Sequence, residues 1–253
     1  MTAGRYTPRI ILITGATGGF GSAMARQFAA LGCDLILHAR NTEKLDALAA
    51  TLPAVKITKL VFDIRDTDAM AKAVSGIGAV DVLVNNAGLA LGLEPAQRAD
   101  LADWDEMIDT NIRSLTHLTR LILPGMVERK VGHIINIGSV AGSWPYPNGN
   151  VYAATKAFVA QFSHTLRCDL HGTGVRVTNI GPGMAETNFS ILRFKGDTER
   201  AAKVYENTVP LNGDDVADTV VWAATRPVHV NINTIEVMPV SQSLAGFQVA
   251  RGG

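Results

Sequence analysis

Tyr152 and Lys156 flank the sequence Ala-Ala-Thr in a stretch whose apolar residues, Val159, Phe162, Leu166 and Leu170, recur at helical spacing. Residues four apart share one helix face, about one turn from each other. A phenol and an ammonium therefore emerge together on an otherwise apolar side. A phenol titrates near about 10, too high for efficient proton exchange at neutral pH, and a cation within a few ångströms favours phenolate. The pair reads as a general acid and base. Taken alone, the same spacing also fits a buried tyrosine beside a snorkelling lysine.

Two further polar residues bear on that choice. Ser139 follows the apolar run 133–137 and so sits at the carboxyl edge of a sheet, where ligands bind in open α/β folds. Its hydroxyl can hold the oxygen that Tyr152 protonates. Asn111 lies on a helical stripe with Met107, Ile108, Ile112, Leu115, Leu118 and Ile122. A buried amide needs partners, and a water chain to Lys156 would supply them. Four polar groups from separate segments, directed to one sheet edge, are hard to explain as packing. Asn111, Ser139, Tyr152 and Lys156 are the candidate catalytic residues.

The elements that must position them are legible as an alternation. Residues 10–14, 34–39, 56–62, 81–84, 133–137 and 175–180 read as strands apolar on both faces, with helical patterns between them, for example 22–31 and 42–51. That pattern predicts a parallel sheet covered by helices on both sides, built from right-handed βαβ units. No repeat, low-complexity segment or linker interrupts it, so one domain over 1–253 is expected. Residues 187–208 are less regular and richer in charge, and read as an excursion that can act as a lid.

The first strand runs into Thr14-Gly-Ala-Thr-Gly-Gly-Phe-Gly21 and then a helix. Glycine permits a tight turn and close approach to a ligand, and the helix N-terminus offers free N–H groups to a pyrophosphate. In this context Gly15, Thr17, Gly18, Gly19, Phe20 and Gly21 are candidate dinucleotide contacts. The second strand ends at His38-Ala-Arg-Asn41, with no carboxylate for a ribose 2′-hydroxyl. A guanidinium suits a 2′-phosphate, so Arg40 points to NADP, with the adjacent Asn41 a further candidate contact, although Arg40 also fits a solvated surface position. Asp63 and Ile64 close the third strand, where a carboxylate can meet an adenine amino group. Asn86, Ala87 and Gly88, after Asn85, close the fourth.

Basic and acidic residues number 23 each, so no global field attracts nucleic acid or an anionic membrane. No apolar run approaches the ~20 residues of a membrane span, and residues 1–9 are polar. Cys33 and Cys168 are far apart and read as reduced, at packed helix ends; the expected compartment is the cytoplasm. The six histidines show no metal-ligand spacing, and no Gly-x-Ser-x-Gly elbow supplies a hydrolase nucleophile. No metal is expected.

From residue 10 to about 239 the chain resembles the short-chain dehydrogenase/reductase family, on residues 14–21, 85–88, Asn111, Ser139, Tyr152-Ala-Ala-Thr-Lys156, and Pro182-Gly183 with Thr187. The resemblance implies a Rossmann-type doubly wound α/β domain with a seven-stranded parallel sheet in the order 3-2-1-4-5-6-7, and a homotetramer. It implies Tyr152 as general acid in reduction and general base in oxidation. Residues 182–189, with Pro182, Gly183 and Thr187 as contacts, would close over the nicotinamide and phosphates. Asn85-Asn-Ala-Gly-Leu-Ala-Leu-Gly92, Gly138-Ser-Val-Ala-Gly-Ser-Trp-Pro-Tyr146, Arg193-Phe-Lys-Gly-Asp197 and His229-Val-Asn-Ile-Asn-Thr234 are similar to the 3-hydroxy acid dehydrogenase branch. That branch uses NADP and acts on serine, L-allo-threonine or 3-hydroxypropionate, or reduces malonic semialdehyde. A reductase of 3-oxoacyl thioesters or ketones is the alternative. Two departures stand out: Asn41 replaces a second arginine, and the loop after Pro182-Gly183 is one residue shorter. A hydroxy-acid carboxylate needs a cation, and Arg193 is the candidate, with Lys195 beside it. Trp144 and Tyr146 fit either a pocket wall or packing.

Overall fold

The computed structural model describes residues 6–244. Seven parallel strands form one sheet: β1 (Ile10–Ile13), β2 (Asp34–Ala39), β3 (Ile57–Val61), β4 (Val82–Asn85), β5 (Gly132–Ile137), β6 (Val175–Pro182) and β7 (Thr234–Val237), in the order β3-β2-β1-β4-β5-β6-β7. The order reverses between β1 and β4, which opens a crevice at the carboxyl ends there. In register, Ile11 pairs with Leu35 and Val82, and Asn85 pairs with Asn136.

Alternate residues of each strand face opposite sides. Ile11, Ile13, Leu35, Leu37, Val82, Val84 and Ile135 pack with Ala23, Met24 and Phe28 of helix α1 (Gly19–Ala30) and Val220 of α9 (Gly213–Ala224). Leu12, Ile36, Leu83, Ile134 and Val177 turn the other way, onto Met70 of α3 (Thr67–Ser75), Leu118 and Ile122 of α5 (Ser114–Arg129) and Leu166 of α6 (Asn150–Asp169). This double burial is what the apolar runs demanded. Side-chain caps fix where helices begin: Asn41 accepts from Lys44 N at the start of α2 (Thr42–Thr51), and Asn212 and Asp215 form a capping box on α9.

Three expectations need adjustment. β3 is one residue shorter at each end than the apolar run. The helical stripe from Trp104 is not one helix: α4 (Leu101–Ile108) passes through a π-helical turn, Asp109–Arg113, into α5. The wider turn leaves Ile108 exposed and buries Thr110 and Asn111. Within 187–208 there are two short helices, α7 (Asn188–Arg193) and α8 (Thr198–Lys203). Among the described residues no helix is long and apolar enough to cross a membrane. Residues 245–253 lie outside the described residues. Gln242 turns inward and accepts a hydrogen bond from Met184 N at 2.7 Å.

Candidate active site

A cavity of about 640 Å³ runs along the carboxyl edge of the sheet, from Arg40 and Asp63 at one end to Tyr152 and Arg193 at the other. Its floor is the glycine loop. Gly15 adopts φ +63°, and a Cβ there would lie 3.1 Å from the Ala87 Cα. A Cβ at Gly21 would run into the Gly15 carbonyl, and one at Gly19 would come within 2.6 Å of the Thr187 side chain. Gly21 thus shapes the loop from beneath, while Gly15, Thr17, Gly18, Gly19, Phe20 and Thr187 face the cavity. Thr14 Oγ1 accepts from the N–H groups of Asn86 and Ala87 at 3.0 and 2.9 Å, and Asn86 Nδ2 donates to Thr14 O at 2.8 Å. Asn85 instead turns into the core, donating to Thr119 and Asn136. These bonds tie the end of β4 to the glycine loop.

At the far end, Arg40, Asp63 and Ile64 line the cavity, as do His38, Lys44 and Arg65, which sequence reasoning missed. Asn41 is not among the lining residues; its amide oxygen is spent on capping α2. Arg65 donates to both oxygens of Asp63, which holds that carboxyl down at about 2. His38 Nε2 donates to Phe62 O at 3.1 Å and its Nδ1 accepts from Gly15 N at 3.5 Å, so the neutral ring bridges β3 and the glycine loop. Burial pushes His38 down to about 4.

At the other end Ser139, Tyr152 and Lys156 of the expected catalytic residues line the cavity, whereas Asn111 is not among the lining residues. Asn111 is buried and fully engaged: Nδ2 donates to Leu89 O at 2.8 Å and Thr155 Oγ1 at 3.0 Å, and Oδ1 accepts from Leu89 N at 2.9 Å. Direct protein partners engage both polar atoms of its side chain. A Cβ at Gly88 would stand 3.2 Å from Asn111 Oδ1 and 3.4 Å from Lys156 Nζ, so only glycine leaves that space open. Lys156 Nζ donates to Ile137 O at 2.9 Å and lies 5.9 Å from the Tyr152 ring centroid.

The electrostatics correct one expectation. Burial raises the Tyr152 phenol to about 12, opposed by a hydrogen bond with Ser139 and by the charge of Arg193. Lys156 is not among the groups lowering it, because the amine is itself buried, pushed down to about 8, and turned toward Ile137 O. Desolvation outweighs the neighbouring cation at the phenol.

Arg193 reaches this end from α7. Its Nη2 donates to Tyr146 OH at 2.7 Å and its Nε to Gly92 O at 3.2 Å. The guanidinium carbon lies 5.6 Å from the ring centroids of both Tyr146 and Tyr152. Tyr146 therefore lines the pocket. Trp144 is part-exposed and donates to Glu236 at 3.2 Å. Lys195 pairs instead with Asp103 at 2.9 Å, away from the phenol. Met184 and Phe189, from the segment expected to close over the nicotinamide, also line the cavity, as do Tyr205 and Gln242. Among the described residues no group of His, Cys, Asp and Glu could hold a metal.

A long crevice with a glycine floor, a helix N-terminus and a slot at Gly88 fits a dinucleotide. Comparison with known proteins agrees with that geometry. The short chain dehydrogenase family model matches residues 9–197. The chain is 56% identical over 247 residues to the NADP-dependent 3-hydroxy acid dehydrogenase YdfG of Salmonella typhi, covering 96% of this chain and 99% of that protein. It is 50% identical over 248 residues to sulfoacetaldehyde reductase 2 of Chromohalobacter salexigens, covering 96% and 98%. A solved structure, the closed form of serine dehydrogenase complexed with NADP+, superposes with a TM-score of 0.90 at 54% identity, over 96% of this chain and 99% of that one. The chain belongs to the short-chain dehydrogenase/reductase family.

Proposed function

We propose that this enzyme interconverts small 3-hydroxy acids and 3-oxo acids, of the serine, allo-threonine, 3-hydroxypropionate or malonic semialdehyde type. The chain is an NADP-dependent oxidoreductase acting on a CH–OH group. The observation that carries the substrate reading is Arg193, whose guanidinium stands 5.6 Å from the catalytic ring and is held there by Tyr146. A carboxylate on that guanidinium places a hydroxyl two carbons away beside Tyr152 and Ser139.

The nicotinamide, when bound, supplies or accepts the hydride. The residues of this chain manage the proton and the orientation. Ser139 and Tyr152 hydroxyls donate to the substrate carbonyl oxygen, and Tyr152 passes its proton to that oxygen in reduction. In oxidation Tyr152 takes the proton back. Its raised pKa keeps the phenol protonated at neutral pH, the state that reduction requires. Gly15, Gly18, Gly19 and Thr187 would cradle the pyrophosphate, Asp63 and Ile64 the adenine, and Lys156 the nicotinamide ribose. Residues 187–208 would serve as the lid that brings Arg193 over the pocket and excludes water.

The alternative, a reductase of 3-oxoacyl thioesters or ketones, has no use for a cation beside the phenol. A second anion does: the sulfonate implied by the relative named as a sulfoacetaldehyde reductase suits the same guanidinium. Steady-state kinetics with Arg193→Gln decide between these readings. KM for 3-hydroxypropionate should rise ~10–100-fold, while an uncharged β-keto ester should be turned over nearly as before. Equal effects on both would remove Arg193 from substrate recognition. A cytoplasmic homotetramer is the proposed form, and sedimentation as a monomer would contradict that assembly.

A further inference from the structure

We propose that Lys44 is a second specificity-determining cation of the cofactor site and, with Arg40, receives the 2′-phosphate of NADP. The inference rests on the assignment of the Arg40 end of the cavity to the adenosine ribose. Three basic side chains line that end: Arg40, Lys44 and Arg65. Arg65 is already committed, with Nε and Nη2 on Asp63 at 3.0 and 2.7 Å and Nη1 3.1 Å from Glu106 Oε1. Two carboxylates neutralise it. Neither Arg40 nor Lys44 has an ion pair among the described residues, and both side chains are exposed to an incoming anion.

A 2′-phosphate carries up to two negative charges, and one guanidinium leaves the second unmatched. Asn41, next to Arg40, is neutral, and its side-chain oxygen accepts from the Lys44 N–H at 2.7 Å. That cap fixes the first turn of α2 against the end of β2. It therefore sets the backbone of Lys44 relative to Arg40, and Lys44, rather than Asn41, lines the cavity. The positive end of α2 adds to the same field. A 2′-hydroxyl, as in NAD, would gain little from either cation, so the pair discriminates between the two nucleotides.

Isothermal titration with 2′,5′-ADP and with 5′-ADP tests this without turnover. Lys44→Ala should weaken 2′,5′-ADP about tenfold, leave 5′-ADP unchanged, and be rescued by Lys44→Arg. If Lys44→Ala binds 2′,5′-ADP like the wild type while Arg40→Ala weakens it, the second cation is refuted and the NADP site stands. Equal weakening of both ligands by Lys44→Ala refutes it too, since the lysine would then act on the α2 terminus generally. If the wild type itself binds both ligands equally, the placement of the 2′-phosphate at this end fails along with the proposal.

Discussion

Tyr152 shows how far one residue can be read from its neighbours. The spacing to Lys156, and the positions of Ser139 and Asn111, single out Tyr152 as the proposed catalytic group because side-chain chemistry and helix periodicity are local properties. The direction of the phenol's shift was not local. It depends on burial that only the packed site creates, and burial raises the pKa to about 12 where a neighbouring cation was expected to lower it. The consequence is directional. A proton donor raised above neutrality is ready at pH 7, whereas the base form needed for oxidation grows as pH rises toward the phenol's pKa. The oxidation rate should therefore climb between pH 7 and 10, while reduction stays nearly flat until the phenol ionises. A steady-state pH profile in both directions checks this, and an oxidation rate that is flat over that range would contradict it. Ser139→Ala should lower kcat about 10²–10³-fold by removing one donor to the substrate oxygen. An unchanged kcat would exclude Ser139 from that role. The partnership of Arg193 with Tyr146, 47 residues apart, could not be read from sequence, because it arises from where α7 lands.

At the scale of elements, the alternation of apolar runs disclosed β1, β2, β4, β5 and β6 nearly as they stand. These strands are buried on both faces, and their composition says so. β7 is half exposed and carries no apolar run, so composition alone is silent on it. The π turn at Asp109–Arg113 was also hidden, since one extra residue in a turn leaves the apolar stripe almost intact. Yet that turn buries Asn111 and lets it reach Thr155 on α6. Thr155 Oγ1 accepts from Asn111 and donates to Tyr152 O at 2.8 Å, so one hydroxyl joins the π turn to the catalytic helix. Thr155→Val should cost about 1–3 kcal/mol of stability by leaving a buried amide N–H unpaired. It should also lower kcat, and Thr155→Ser should restore both. Urea denaturation and steady-state assays measure the pair of effects. A valine variant of wild-type stability would show that the link is not structural.

For the molecule as a whole, balanced charge and an uninterrupted βα pattern anticipated one sheet with a crevice at its carboxyl edge, and the cavity lies there. Its acid stability follows from buried histidines that sequence could not place. His38 falls from 6.5 to about 4 through burial, and His133 falls well below its ordinary value for the same reason. Both are neutral in the fold. Below pH 6.5 the unfolded chain takes up protons that the folded chain refuses, so the stability contributed above pH 6.5 is lost as pH falls toward 4. For His38 alone the loss is up to about 3 kcal/mol. Guanidinium midpoints should fall over that window, less steeply in His38→Gln, and identical slopes would exclude His38. The cavity has a single purpose in this account, to hold a nucleotide while Tyr152 exchanges a proton with the substrate. Turnover of 3-hydroxypropionate by Tyr152→Phe, alongside NADPH binding to the same protein, tests that claim most directly. The variant's kcat should fall at least about 10³-fold with NADPH affinity within a few-fold of wild type; turnover that survives the loss of the hydroxyl would remove Tyr152 from proton exchange.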